Sequence, residues 1–177
     1  LDTYAQHGLL GARGVYGHSV HLEPREVAQL AEIGASVVHC PTSNMFIGSG
    51  LFDLMGLAQA KVGLGLASDI GGGSNFSMLR TMAAAYEVAQ LRGMAAHPAQ
   101  LMWLASEGSA KTLHLQGQVG HLGAGAEADL CVLNLGSTHA IDQRARNASN
   151  FWEALFPTIM MGDDRAVRQV WVGGQPL

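Results

Sequence analysis

Residues 63–73 read GLGLASDIGGG. The run Val62-Gly63-Leu64-Gly65-Leu66-Ala67 is apolar or small throughout, the pattern of a strand covered on both faces. An acid, Asp69, follows it, and three glycines, Gly71, Gly72 and Gly73, come after. A carboxylate taken from water without a partner costs several kcal/mol. Asp69 is therefore exposed, paired with a cation or bound to a metal, and no Lys or Arg lies near it in sequence. Spacing alone leaves two readings open: a turn residue in an Asx-type loop, and a site residue. The glycines make no phosphate loop, because Gly63-Leu64-Gly65 falls inside the strand and no GxGxxG follows. Their reading is steric. Glycine after a strand lets backbone approach a ligand and adopt positive φ.

Outward from this stretch, strands and helices alternate. Residues 14–21 read as a short strand with a polar end. Pro24 sits where a first helical residue is favoured, Val27, Leu30 and Ala31 share a helix face, and Gly34 ends that helix. Residues 35–40 are a second strand stopped by Pro41, and TSNMFIGSG after it reads as a loop. A short helix is expected over 51–60 and the third strand over 62–68. The spacing predicts a helix over 78–91, with Met78, Met82, Ala85 and Ala89 on one face, and another from His97-Pro98 to about residue 113. Apolar strands alternating with helices predict an α/β fold with a parallel sheet covered on both faces. The ends of such strands are where chemistry is placed. Beyond residue 113 the composition turns glycine-rich. A strand is expected at 130–135, a helix at 151–161 and a last strand at 166–172 before a Gly173-Gly174 turn, a small β-rich appendage with an inserted helix.

Composition narrows the function. The chain has 177 residues, a net charge of −4, 48% hydrophobic and only 14% charged residues, so much of it belongs in a core. Without a basic surplus, nucleic acid is not expected as a partner. No apolar run reaches about 18 residues, so no membrane span is expected. Cys40 and Cys131 are too few and too far apart for a disulfide framework, which fits a reduced, cytoplasmic setting. There is no CxxC, HExxH or Walker-type loop.

Three strands end in candidate chemistry: His18 on the first, His39 and Cys40 on the second, Asp69 on the third. The plain reading of His18 is a core histidine bonded to backbone. For His39 and Cys40 it is a packed imidazole and a small apolar thiol. His7, His97, His114, His121 and His139 read as surface or capping residues.

Taken in order, YGHSVHL (16–22), GASVVHCPTSN (34–44), GSGLF (48–52), GLGLASDIGGG with SML (77–79), EADLCVLN (127–134) and MGDDR (161–165) resemble the amidohydrolase superfamily and, within it, the guanine deaminases. The resemblance implies a (β/α)8 TIM-type barrel with a small β-sandwich built from both chain ends. A barrel alone takes about 250 residues. The chain is therefore expected to be a C-terminal portion. Residues 1–113 would carry the last three barrel strands and helices. Residues 114–177 would be a sandwich segment whose inserted helix packs on the barrel. The superfamily's first-strand HxH and fifth-strand HxxE are absent. Carried over by motif, His18 matches the sixth-strand histidine near the attacking water. Asp69 matches the eighth-strand metal ligand and proton carrier, with Ala67-Ser68-Asp69 standing for the usual GTD. The implied activity is zinc-dependent hydrolytic deamination of guanine to xanthine and ammonia, in purine catabolism. The implied cofactor is Zn2+, with its remaining ligands upstream. The implied partners are a small purine substrate and, at full length, a second copy in a homodimer. Two alternatives stand: another deaminase or chlorohydrolase of the superfamily, and a catalytically inactive piece that needs its N-terminal part.

Overall fold

The computed structural model describes residues 1–177. A short helix α1 (Asp2–Gln6) precedes β1 (Val15–Gly17), α2 (Pro24–Ile33), β2 (Ser36–His39), α3 (Pro41–Ile47), α4 (Leu54–Gln59) and β3 (Gly63–Leu66). Then come α5 (Met78–Leu91), α6 (Pro98–Trp103), a π-helical turn (Leu104–Gly108) and α7 (Ser109–Thr112). The remainder is β4 (Leu130–Leu133), α8 (His139–Arg146), α9 (Phe151–Met161), a 3-10 turn (Asp164–Ala166), β5 (Val167–Val172) and β6 (Gln175–Pro176).

The local chemistry accounts for the boundaries. Helix α2 opens on Pro24 behind a capping box of Glu23 and Glu26 and ends at Gly34 in the left-handed conformation. Ser77 caps α5 by accepting from the Arg80 N–H, and Asn150 caps α9 the same way at Glu153. One expectation is overturned: residues 42–47 are helical, not loop. Pro41 occupies the first turn of α3, where its missing N–H costs nothing. The first strand is also shorter than expected, because the backbone turns to positive φ at His18 and Ser19. Helices α1 and α8 were not legible, being short and weakly apolar.

Strands β1, β2 and β3 form a parallel sheet in that order, with Tyr16 beside Val37 and Val38 beside Gly65. Strands β4, β5 and β6 form a separate antiparallel sheet, with Cys131 beside Val170 and a bulge between Val132 and Leu133. The fold is mixed α/β. Its core joins Leu30, Val37, Leu64 and Leu66 to Met82, Ala85, Leu101 and Leu104, and extends to Leu155 and Ile159 of α9. Helix α9 lies against α5, where Tyr86 and Phe156 meet edge to face at 5.0 Å.

The glycines of β3 serve packing. A methyl group at Gly65 would crowd Thr112, Val38 and Ser109 at 3.1–3.2 Å. Its absence lets the 104–112 helical run close on the sheet. There the Ser109 hydroxyl accepts from the Leu66 N–H at 3.1 Å. It also contacts the Leu104 carbonyl at 2.7 Å. A free edge donor of β3 is thereby satisfied.

Candidate functional site

A parallel sheet gathers the C-terminal ends of its strands along one edge. That edge carries His18 after β1, His39 and Cys40 at the end of β2, and Asp69 after β3. His18 Nε2 stands 3.7 Å from Asp69 Oδ2. The two side chains are 45% and 37% exposed, so a solute can reach both. His18 is therefore not a core histidine. Its Nδ1 bonds a side chain, Oδ1 of Asn44, at 2.7 Å, and not backbone. The Asx-turn reading of Asp69 also fails. The turn is closed by the Asp69 carbonyl, which accepts from the Gly73 N–H, while the carboxylate faces His18. His18, Ser19 and Asp69 sit at φ of 65°, 51° and 49°, a region non-glycine residues enter at a cost of about 1–3 kcal/mol and mostly at functional sites.

His39 and Cys40 are packed, as their plain reading has it. The His39 ring is buried and stacks on Phe52 at 4.4 Å. Burial disfavours the imidazolium and pushes its pKa down to about 3. The Cys40 thiol donates to the Val38 carbonyl, and burial raises its pKa. His97 and His121 are local caps, accepting from the N–H groups of Ala99 at 3.2 Å and Gly123 at 2.9 Å.

The loop after Asp69 folds against α3. Gly73 is sterically required, since a Cβ there would strike the Ser68 carbonyl. A methyl group at Gly72 would lie 2.9 Å from Asp69 Oδ2 and 3.0 Å from Ser43 Oγ. The first turn of α3 is a buried polar run of Thr42, Ser43 and Asn44. Thr42 Oγ1 donates to the Ser68 carbonyl at 3.2 Å, beside Asp69, while Asn44 meets His18. Sequence reasoning gave these residues no role. The available signal was three polar residues directly behind Pro41, on a segment following an apolar strand.

No group of three or more His, Cys, Asp or Glu side chains converges anywhere in the fold. Protein zinc sites use at least three protein ligands. The donor chemistry here fits one part of such a shell: an accessible carboxylate at a strand end with an imidazole 3.7 Å away. A cavity of about 860 Å3 lies elsewhere, between α6, α8 and α9, where Tyr86, His97, Trp152 and Phe156 form its aromatic wall. Neither His18 nor Asp69 borders it.

Comparison with known proteins establishes the family. The amidohydrolase family model matches residues 1–177, and the chain belongs to that family. Among particular proteins, it is 40% identical over 175 residues to the guanine deaminase of Escherichia coli (strain K12), covering 99% of this chain and 40% of that protein. The solved structure of the E. coli enzyme superposes with a TM-score of 0.96 at 39% identity, over 99% of this chain and 41% of its own. A probable guanine deaminase of Deinococcus radiodurans is 42% identical over 180 residues, covering 98% of this chain and 40% of that protein. An adenosine deaminase structure from Xanthomonas campestris, described with bound zinc, shares the fold. Its TM-score is 0.84 at 24% identity, over 99% of this chain and 39% of its own. The chain thus spans about two fifths of the length of the relatives it matches.

Proposed function

We propose that this chain is the C-terminal portion of a cytoplasmic, zinc-dependent guanine deaminase that converts guanine and water to xanthine and ammonia. Residues 1–113 would supply the last three strands and helices of a (β/α)8 barrel. Residues 114–177 would supply a segment of its β-sandwich, with α9 as the inserted helix packed on the barrel. The full-length protein is a homodimer in this reading. The observation that carries the proposal is the 3.7 Å approach of His18 and Asp69 on one edge of a parallel sheet, both at positive φ. The kinship with guanine deaminases across 98–99% of the chain supports it.

Asp69 is the ligand this chain offers the metal, with the other ligands outside residues 1–177. A zinc ion bound there supplies a water acidified to near-neutral pKa. Asp69 accepts the proton of the attacking water and delivers it to the departing amine, which leaves as ammonia. His18 hydrogen-bonds the attacking oxygen and keeps that bond as the same oxygen joins the tetrahedral carbon, a contribution of about 10²–10³ in rate.

The test is Asp69→Ala in the intact protein, read as bound zinc and as ammonia released from guanine. Both fall if the assignment is right, and retention of both overturns it. His18→Ala keeps the metal and loses 10²–10³ in kcat; unchanged turnover refutes the role. A panel of guanine, adenosine and triazines, read by ammonia release, tests the substrate. A second reading follows from the absence of a three-residue donor cluster: the 177-residue chain alone holds no stoichiometric zinc and turns over no guanine. Turnover by the purified chain would overturn it.

A further inference from the structure

Asn44 is buried to 1% exposure, and its backbone is held on both sides: its N–H donates to the Cys40 carbonyl and its carbonyl accepts from Ser49, each at 2.9 Å. The main chain at Asn44 is thus fixed, and burial confines the side chain. Its Oδ1 lies 2.7 Å from His18 Nδ1, the short end of the range for N–H···O bonds. On the other side of the ring, Nε2 is 3.7 Å from Asp69 Oδ2, beyond hydrogen-bond reach. A neutral imidazole carries one N–H, and the hydrogen bond made at one nitrogen decides which one it is. Here Oδ1 of Asn44, an acceptor, is the atom that faces Nδ1.

We propose that Asn44 is a positioning residue that holds His18 as its Nδ1–H tautomer and turns the lone pair of Nε2 toward Asp69. Asn suits this task where Asp would not. A buried carboxylate at position 44 would carry a desolvation penalty that the neutral amide avoids. The same helical turn braces the opposite strand end, because Thr42 bonds the Ser68 carbonyl at 3.2 Å. One buried segment therefore fixes the ring, its tautomer and the approach of Asp69. The catalytic meaning of this arrangement rests on the deaminase reading: Nε2 is then the acceptor for a hydrogen of the attacking water. The tautomer itself does not rest on that reading.

The measurement is long-range 1H–15N NMR of the intact protein labelled with 15N-histidine, at about pH 9, where an ordinary imidazole is neutral. The His18 signals are assigned by their loss in His18→Gln. The expected spectrum shows a protonated Nδ1 and an unprotonated Nε2 at His18. In Asn44→Leu the proton moves to Nε2. A protonated Nε2 in the unsubstituted protein overturns the inference, as does an unchanged Nδ1–H in folded Asn44→Leu. The unsubstituted spectrum decides the matter even if that variant fails to fold. In kinetics, Asn44→Leu lowers kcat about tenfold or more with KM little changed. Failure of the two readings is separable. A protein with the Nδ1–H tautomer that releases no ammonia from guanine refutes the deaminase reading alone. A fully active deaminase with an Nε2–H ring refutes the role of Asn44 alone.

Discussion

Burial of His39 makes stability depend on pH over a window that few other groups share. Its ring is 1% exposed, Nδ1 has no hydrogen-bond partner, and its pKa is pushed down to about 3. In the unfolded chain the same ring titrates near 6.5. The unfolded state therefore takes up a proton between about pH 6.5 and 3 that the folded state refuses, so stability rises with pH across that window and is fully present above it. The steepest slope is about 1.4 kcal/mol per pH unit, and the drop from pH 7 to pH 5 comes to about 2 kcal/mol. The carboxylates with depressed pKa, Asp2, Glu26 and Asp163, start from 3.8–4.5, so their losses fall mainly below pH 5. The perturbation is His39→Leu, which keeps an apolar side chain against Phe52 and removes the titration. Urea unfolding of both proteins at pH 7 and pH 5 gives two differences. The unsubstituted protein should lose about 2 kcal/mol more than the variant on acidification. Equal losses, within about 0.5 kcal/mol, would show that the ring is solvated or freely protonated in the folded state and would refute the reasoning.

Three further substitutions probe the packing around the sheet edge. Ser109→Ala leaves the Leu66 N–H without its acceptor at 3.1 Å and should cost about 1–3 kcal/mol in urea unfolding; no loss would mean that water replaces the hydroxyl. Gly73→Ala drives a Cβ into the Ser68 carbonyl and should lower stability by about 1–3 kcal/mol, visible as a lower thermal midpoint, whereas an unchanged midpoint would show the loop free to shift. Ile159→Ala empties a position 1% exposed between α9 and the core and should cost about 2–5 kcal/mol. A cost below 1 kcal/mol would place α9 outside the cooperative unit.

The parts of the fold written in period and punctuation were legible. Helix α5 follows from apolar residues at 78, 82, 85 and 89, and the sequence places both of its ends where the structure has them, Met78 and Leu91. Helix α2 follows from Pro24 and Gly34. What was missed lacks those signals. In α3, Thr42, Ser43 and Asn44 are buried polar residues that carry no amphipathic pattern, and Pro41 served two purposes at once, ending β2 and opening the helix. The positive φ values of His18, Ser19 and Asp69 are marked in residue type only weakly, by the tolerance of His and Asp for that region. For the site, strand ends named His18 and Asp69 as candidates. Only the parallel order β1-β2-β3 brings them to 3.7 Å, and nothing in the sequence alone pairs His18 with Asn44 across 26 residues.

The distribution of strain shows what the sheet edge is for. Three of the five buried side-chain polar atoms without a partner, His39 Nδ1, Ser43 Oγ and Asn44 Nδ2, fall within residues 39–44. An unsatisfied group of this kind costs about 1–3 kcal/mol. Three of the five non-glycine residues at positive φ, His18, Ser19 and Asp69, lie on the same edge and add about 1–3 kcal/mol each. Apolar residues at 42–44 would bury the turn at lower cost, yet they would leave Ser68 and His18 without the contacts that hold both strand ends. The antiparallel sheet at the far end of the chain has no comparable concentration of strained backbone or orphaned polar atoms. Destabilising features that accumulate where two strand ends converge, and are braced there by one helical turn, are explained by the need to keep an imidazole and a carboxylate in a fixed relation that packing alone would not choose.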